Sequence, residues 1–267
     1  VITISKIVND KYYTSPELAE YIVNKTKKII GEEKITEYIE PSAGGGAFLD
    51  YLDKSFLAYD IEPEDNRILK QDFLSLDLDY KKGRCIIGNP PYGEFNLLSE
   101  KFFKKSIKIC DYISFIQPIS QYKNNIKLYE FDLIYSEDLG KQIYTDREIH
   151  CCLNIYRRPI NGEVNKKQNY KLKDVSITRL DRGSKTIINE YDINICSYGA
   201  SIGKIPKFIG QYSQELYIKI CNEKYRNQII NLIINTNWKQ IIDMTATPKL
   251  QIWRVYKYIK EQIPEIQ

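Results

Sequence analysis

Apolar positions in the first half of the chain gather into short runs separated by longer stretches of mixed character. Residues 35–39, 56–59, 85–87, 112–116, 131–135 and 149–156 are runs of this kind, each of a length suited to a buried strand. Residues 97–109, between two of these runs, have the spacing of a helix instead. Ahead of the first run, Thr14-Ser15-Pro16-Glu17 carries the signals of a helix start. Ser15 is a capping residue, Pro16 suits the first helical position, and Glu17 faces the positive helix end. Leu18, Ile22, Lys25 and Ile29 follow at helical spacing, and Gly31 ends the run. Strands alternating with helical stretches predict an α/β fold, a doubly wound and mostly parallel sheet covered on both faces.

After residue 156 the pattern changes. Residues 157–173 are polar and include Pro159 and Gly162, so the chain is expected to divide into a domain over 1–158, a linker over 159–173 and a domain over 174–267. In the last part, short β-rich runs around 193–208 are crowded by turn residues, and a helical pattern covers 225–234. That predicts a smaller α+β unit. Within it, 198–204 reads as a hairpin tip and 245–249 as an exposed loop.

Composition adds little until it is divided along the chain. With 43% hydrophobic and 28% charged residues among 267, the protein belongs with folded globular chains rather than disordered ones. No stretch approaches the roughly 18 apolar residues of a membrane helix, so no membrane partner is expected. The first residues, VITISKIVNDKYY, lack the pattern of a signal peptide, and the six cysteines show no C-x-x-C spacing. A cytoplasmic protein with reduced thiols is expected. Net charge is +4, but residues 1–150 carry −5 and residues 151–267 carry +9. A basic back half is suited to a polyanion.

Four candidate features fall where strands should end, the place where open α/β sheets bind ligands. The first is Glu40-Pro41-Ser42-Ala43-Gly44-Gly45-Gly46, whose glycines permit a tight turn and close approach of a ligand to backbone amides. It is not the G-x-G-x-x-G of dinucleotide sites. The second is Asp60, followed by Ile61, at a position where a carboxylate commonly accepts from ribose hydroxyls. The third is Asp72-Phe73, preceded by Gln71: an acceptor for an exocyclic amine beside a ring that can stack. The fourth is Asn89-Pro90-Pro91-Tyr92 after the apolar run 85–87. Its prolines hold the backbone extended, leaving the Asn89 side-chain oxygen and the Pro90 carbonyl to converge on one amino group. Tyr92 offers a flat ring for a planar substrate. Such acceptors suit methylation of a ring amine, whose delocalised lone pair is a poor nucleophile.

These residues resemble the DNA amino-methyltransferases that use S-adenosylmethionine (AdoMet), of the adenine-N6 type with motifs in the gamma order. The resemblance covers roughly residues 8–158. It implies a class I, Rossmann-like methyltransferase fold, AdoMet as cofactor, base flipping and direct in-line methyl transfer. By the same resemblance, Tyr13 and Thr14 hold the methionine end of AdoMet, although the family usually has Thr-Pro-Pro where this chain has Thr14-Ser15-Pro16. Glu40, Pro41, Ser42, Ala43 and Gly44 surround the methionine and sulfonium. Asp60 takes the ribose, Ile61 packs on the adenine, and Asp72 and Phe73 take its amine and ring. Asn89, Pro90, Pro91 and Tyr92 form the catalytic tetrapeptide, with Asn89 and Pro91 also at the cofactor. Tyr144, before the strand at 149–156, corresponds to an aromatic that stacks on an extruded base; ordinary core packing explains it equally well.

Arg179, Arg182, Lys185, Lys204, Lys207, Lys249 and Arg254 are candidates for contacts with duplex DNA. A cognate restriction endonuclease is a candidate companion. No metal is expected, because His150, Cys151 and Cys152 are consecutive in a predicted strand and point to alternate faces. The competing readings are methylation of a cytosine 4-amino group, of RNA or of a protein glutamine amide, and an inactive DNA-binding partner subunit.

Overall fold

The computed structural model describes residues 13–144, 147–183, 188, 190–242 and 248–267. It divides into two compact units, one running to Lys167 and one from Gln168 to Gln267. The division falls inside the stretch expected to link the domains. That stretch is well used on both sides. Asn165 N–H donates to Glu130 O at 2.9 Å in the first unit, and Leu172 is buried in the core of the second.

In the first unit a helix, α1 (Pro16–Ile30), starts as its sequence dictates. Ser15 Oγ accepts from Leu18 N at 3.3 Å, Pro16 occupies the first turn, and Gly31 at φ +92° terminates the helix. Strands β1 (Glu37–Glu40), β2 (Phe56–Asp60), β3 (Leu69–Lys70), β4 (Arg84–Gly88) and β5 (Tyr112–Pro118) run parallel. Helix α2 (Leu97–Ser106) lies between β4 and β5 in the chain. A hairpin of β6 (Asp132–Tyr144) and β7 (Arg147–Arg157) completes the sheet, β7 being antiparallel to both β5 and β6. The spatial order is β3-β2-β1-β4-β5-β7-β6. The expected α/β fold, a doubly wound and mostly parallel sheet, is therefore what this chain forms. Its order reverses between β1 and β4, which sets the position of the site.

Alternation along the strands sorts the core into two layers. On one face Ala19, Ile22 and Val23 of α1 pack with Tyr38, Cys85, Ile87, Leu153 and Ile155. On the other, Phe102 and Phe103 of α2 pack with Ile39, Ile86, Ile113, Phe115 and Tyr156. Between β1 and β2, and again between β3 and β4, single 3₁₀ turns (Leu49–Tyr51 and Phe73–Ser75) occupy the places of full helices. Below the sheet, at the amino end of β1, Glu37 accepts from Arg84 Nε at 2.6 Å and from Lys81 Nζ at 2.8 Å. Arg84 is itself buried, and its Nη1 donates to the carbonyls of Asp79 and Ile109.

The second unit is a three-stranded antiparallel sheet in the order β8 (Val175–Asp181), β10 (Gln214–Ile220), β9 (Ile193–Cys196). Helices α3 (Arg226–Asn235), α4 (Trp238–Ile241) and α5 (Ile252–Gln262) contribute Ile229, Ile233, Trp238, Val255 and Ile259 to one core with Ile177, Leu216 and Ile218. The expected α+β character is present, and β8, β10, α4 and α5 add to the elements read from the sequence. No helix among the described residues is long and apolar enough to cross a membrane.

Candidate functional site

A cleft of about 590 Å³ opens at the carboxyl ends of β1, β2 and β4, on both sides of the point where strand order reverses. Thirteen residues singled out for a cofactor line it: Tyr13, Thr14, Glu40, Pro41, Ser42, Ala43, Gly44, Asp60, Ile61, Asp72, Phe73, Asn89 and Pro91. They come from five separate segments, which only the parallel sheet brings together.

Asp60 organises the glycine turn. Its Oδ2 accepts from Gly44 N at 2.8 Å and its Oδ1 from Glu62 N at 2.8 Å. Gly44 and Gly46 have φ of +52° and +79°, a region that L side chains rarely adopt. A Cβ on Gly46 would also stand 3.2 Å from Leu49 Cδ1 and 3.3 Å from Asp65 Oδ2. The turn therefore needs glycine for its backbone and for its space. Beyond it, Asp72 caps the following 3₁₀ turn by accepting from Leu74 N at 2.9 Å. Phe73 stacks on Phe102 with ring centroids 5.6 Å apart. Tyr13 closes the rim, its hydroxyl donating to Glu64.

Glu40 is the electrostatic centre of the cleft. Its residue is 2% exposed, and Oε2 has no hydrogen-bond partner among the described residues. Loss of solvent, reinforced by the nearby negative charge of Asp60, pushes its carboxyl well above the usual carboxylate range. Gly88, at the end of β4, lies beside this side chain: a Cβ there would be in ordinary contact, 3.4 Å from Glu40 Cγ. A buried acid with no cation beside it among the described residues is an unfavourable arrangement that a cationic ligand would relieve.

Asn89 follows β4 directly. Its Nδ2 donates to Thr14 Oγ1 at 3.4 Å, and its backbone carbonyl accepts from Ser42 Oγ at 3.5 Å. The loop before α1, the loop after β1 and the loop after β4 thus meet at one residue. Pro90 is buried and is absent from the cleft lining. Tyr92 departs from the expectation of a ring offered to a substrate. It is 5% exposed, packs in the core on the α1 side, and its hydroxyl lies 3.4 Å from Cys151 Sγ. The turn at Gly93 (φ +66°) and the donation of Leu98 N to Tyr92 O tie this segment to α2, so the ring is held inward.

Sequence reasoning overlooked Leu98 and Phe102, which also line the cleft. They sit one helical turn apart on α2, and the i, i+4 spacing was the available signal. Tyr144 ends β6 across from Arg147, and its side chain lies outside the described residues. His150 bonds Asp138 at 2.6 Å, while Cys151 and Cys152 are buried with different partners, Tyr92 and Pro118 O. No group of three or more His, Cys, Asp or Glu among the described residues could hold a metal ion.

In the second unit the basic candidates separate. Arg179 Nη2 donates to Leu250 O at 3.3 Å and Gln251 Oε1 at 3.4 Å, and Arg254 Nη1 donates to Ile241 O at 3.0 Å, so both work within the fold. Lys249 is half-buried in an isolated bridge with Tyr198. Arg182, Lys204 and Lys207 are exposed. Lys185 and residues 245–247 of the expected loop lie outside the described residues. The expected tip at 198–204 is a turn that folds back on β9: Gly203 N donates to Cys196 O at 2.9 Å. It forms the first part of the long connection between the antiparallel neighbours β9 and β10.

No family model matches this sequence, and neither does any curated protein. Solved structures are similar in part. A candidate RNA methyltransferase from Pyrococcus horikoshii shares 15% identity over 56% of this chain and 87% of its own, with a TM-score of 0.46. The M protein of the type I restriction enzyme EcoKI shares 14% over 61% and 47%, with a TM-score of 0.44. The 23S rRNA methyltransferase ErmE shares 10% over 56% and 70%, with a TM-score of 0.41. This level of likeness carries no argument about substrate.

Proposed function

We propose that this protein transfers a methyl group from AdoMet to the 6-amino group of adenine in a specific duplex DNA sequence. The observation that carries the reading is the cleft itself, where Glu40, Asp60, Asp72 and Asn89 from four strand-end segments face one space. Its volume is within the range of nucleoside-sized ligand sites. The buried Glu40, with no cationic neighbour among the described residues, fits a ligand whose methionine end carries positive charge.

In this reading Thr14, beside the start of α1, receives the methionine carboxylate, and Glu40 balances the ammonium and sulfonium charges. Asp60 accepts from the ribose while holding Gly44, and Asp72 accepts from the adenine amine beside Ile61 and Phe73. Bound AdoMet supplies an electrophilic methyl group on a sulfonium. The Asn89 side-chain oxygen and the Pro90 carbonyl accept the two amino hydrogens of an extruded adenine. That favours a pyramidal nitrogen with its lone pair free for in-line attack. The nitrogen–methyl bond forms as the methyl–sulfur bond breaks, and the surplus amine proton passes to solvent. Tyr92, in this reading, shapes the loop from behind. Duplex DNA is the partner, with the basic second unit on its backbone, and the cytoplasm is the compartment.

The test is an assay of tritiated AdoMet with duplex DNA, tRNA and a protein mixture, followed by digestion of the DNA to nucleosides. N6-methyl-2′-deoxyadenosine from the DNA is expected. Label in cytosine, in RNA or in glutamine, or AdoMet binding with no transfer, would overturn the reading.

A further inference from the structure

The loop joining β9 to β10 exposes apolar side chains that the function proposed above leaves unexplained. Ile205, Phe208 and Ile209 are 47%, 66% and 54% exposed, three apolar residues within five positions. Single exposed apolar residues need no explanation, but a cluster on one loop does. This loop is also held in shape at both ends. At its start, Gly203 (φ +83°) packs so closely on buried Trp238 that a Cβ would stand 2.7 Å from Trp238 Cδ1, and Lys204 O accepts from Cys196 N at 2.8 Å. At its end, fully buried Glu215 accepts from Gly210 N at 3.2 Å and from Tyr212 N at 2.9 Å. Asn194 Nδ2 and the Tyr217 hydroxyl fix the same carboxylate. Across the middle, Lys207 N donates to Gln211 Oε1 at 2.6 Å, and Arg182 Nη2 reaches Gln211 O at 3.3 Å.

A buried carboxylate spent on ordering a loop implies that the shape of the tip matters. The charge of the tip indicates the partner. Residues 197–213 contain Lys204 and Lys207 and no acid, and the exposed Arg182 adjoins them. Apolar side chains flanked by cations match a surface that offers flat apolar faces between phosphates, which is the base stack of DNA. We infer that the loop over 203–212 enters duplex DNA as a wedge, with Phe208 and Ile209 against a base step and Lys204 and Lys207 on the neighbouring phosphates. This rests on the duplex-DNA reading and adds to it the element that deforms the duplex. Glu215 acts as a positioning residue for the wedge.

The test compares the full chain with F208A/I209A and K204Q/K207Q, using a short mixed-sequence duplex carrying a fluorophore at each end. Anisotropy over a salt series gives affinity and salt slope, end-to-end energy transfer gives bending, and AdoMet titration checks the first unit. F208A/I209A should weaken DNA binding about tenfold or more at every salt concentration, leave the salt slope unchanged and abolish the bend. K204Q/K207Q should lower the slope by about 2. AdoMet affinity should be unchanged in both. If the unaltered protein binds the duplex and F208A/I209A binds it equally well, the wedge is wrong and the DNA reading stands. If F208A/I209A instead lowers the sedimentation coefficient with DNA affinity intact, the patch joins two copies of the chain and the wedge is again overturned. If the unaltered protein has no affinity for the duplex, both inferences fall together.

Discussion

Replacing Glu40 by Gln should move stability and cofactor affinity in opposite directions. The carboxyl of Glu40 is held well above its ordinary value of 4.5 by burial and by Asp60. Well below pH 4.5 the folded and unfolded chains both keep the proton. Above it the unfolded chain releases the proton and the folded chain retains it, so stability falls as pH rises, until the raised folded-state value is passed. The slope is at most about 1.4 kcal/mol per pH unit. From pH 5 to pH 7 the loss therefore reaches at most about 2.7 kcal/mol, or roughly 5–10 °C in Tm for a unit of this size. Gln has no proton to lose, so E40Q should be relatively more stable the higher the pH over this window. The same change removes the charge that balances a cationic ligand. Losing one partner of a buried charge pair costs about 2–5 kcal/mol, so AdoMet Kd should rise by about 30-fold or more. Thermal melts of the ligand-free protein between pH 4.5 and 8, with AdoMet calorimetry at pH 7.5, measure both effects. A Tm difference that is constant with pH, or an E40Q protein binding AdoMet within threefold of the original, would refute the reasoning.

Asn89→Ala should leave AdoMet Kd within about tenfold while single-turnover methylation falls by about a thousandfold or more, read by tritium transfer. Gly46→Val forces a β-branched side chain into φ +79° and against Leu49 and Asp65, and should cost about 1–3 kcal/mol in urea unfolding and abolish AdoMet binding. Arg84→Ala leaves Glu37 at the buried base of the sheet with Lys81 as its remaining cation; a loss of about 3–5 kcal/mol is expected in the same melts. Raising salt from 50 to 200 mM should weaken duplex binding steeply and barely change AdoMet affinity, measured by anisotropy and calorimetry on one preparation.

How much of this was legible in the sequence varies by element. Helix α1 was, because cap, proline, apolar spacing and terminating glycine are all local and agree. The central strands β1 and β4 were, because each is buried throughout and holds a short apolar core, Tyr38-Ile39 and Cys85-Ile86-Ile87. The hairpin of β6 and β7 was read only in part, since β6 continues from 135 to Tyr144 through a largely polar stretch that lacks an apolar pattern. Strand β10 went unread although it is the centre of its sheet; Glu215 interrupts its apolar run, and only the loop it anchors explains a charge there.

Local chemistry in the sequence determined which segments carry candidate groups: Thr14, Glu40, Asp60, Asp72 and Asn89 each follow or precede a recognisable element. Tertiary structure decided that they share one cleft, because convergence depends on strand order, and order is set by contacts far apart in sequence. It also decided the state of the individual groups. Tyr92 turns into the core, Arg179 braces a loop instead of facing solvent, and Glu40 loses its water, since burial and charge environment are properties of the packed chain.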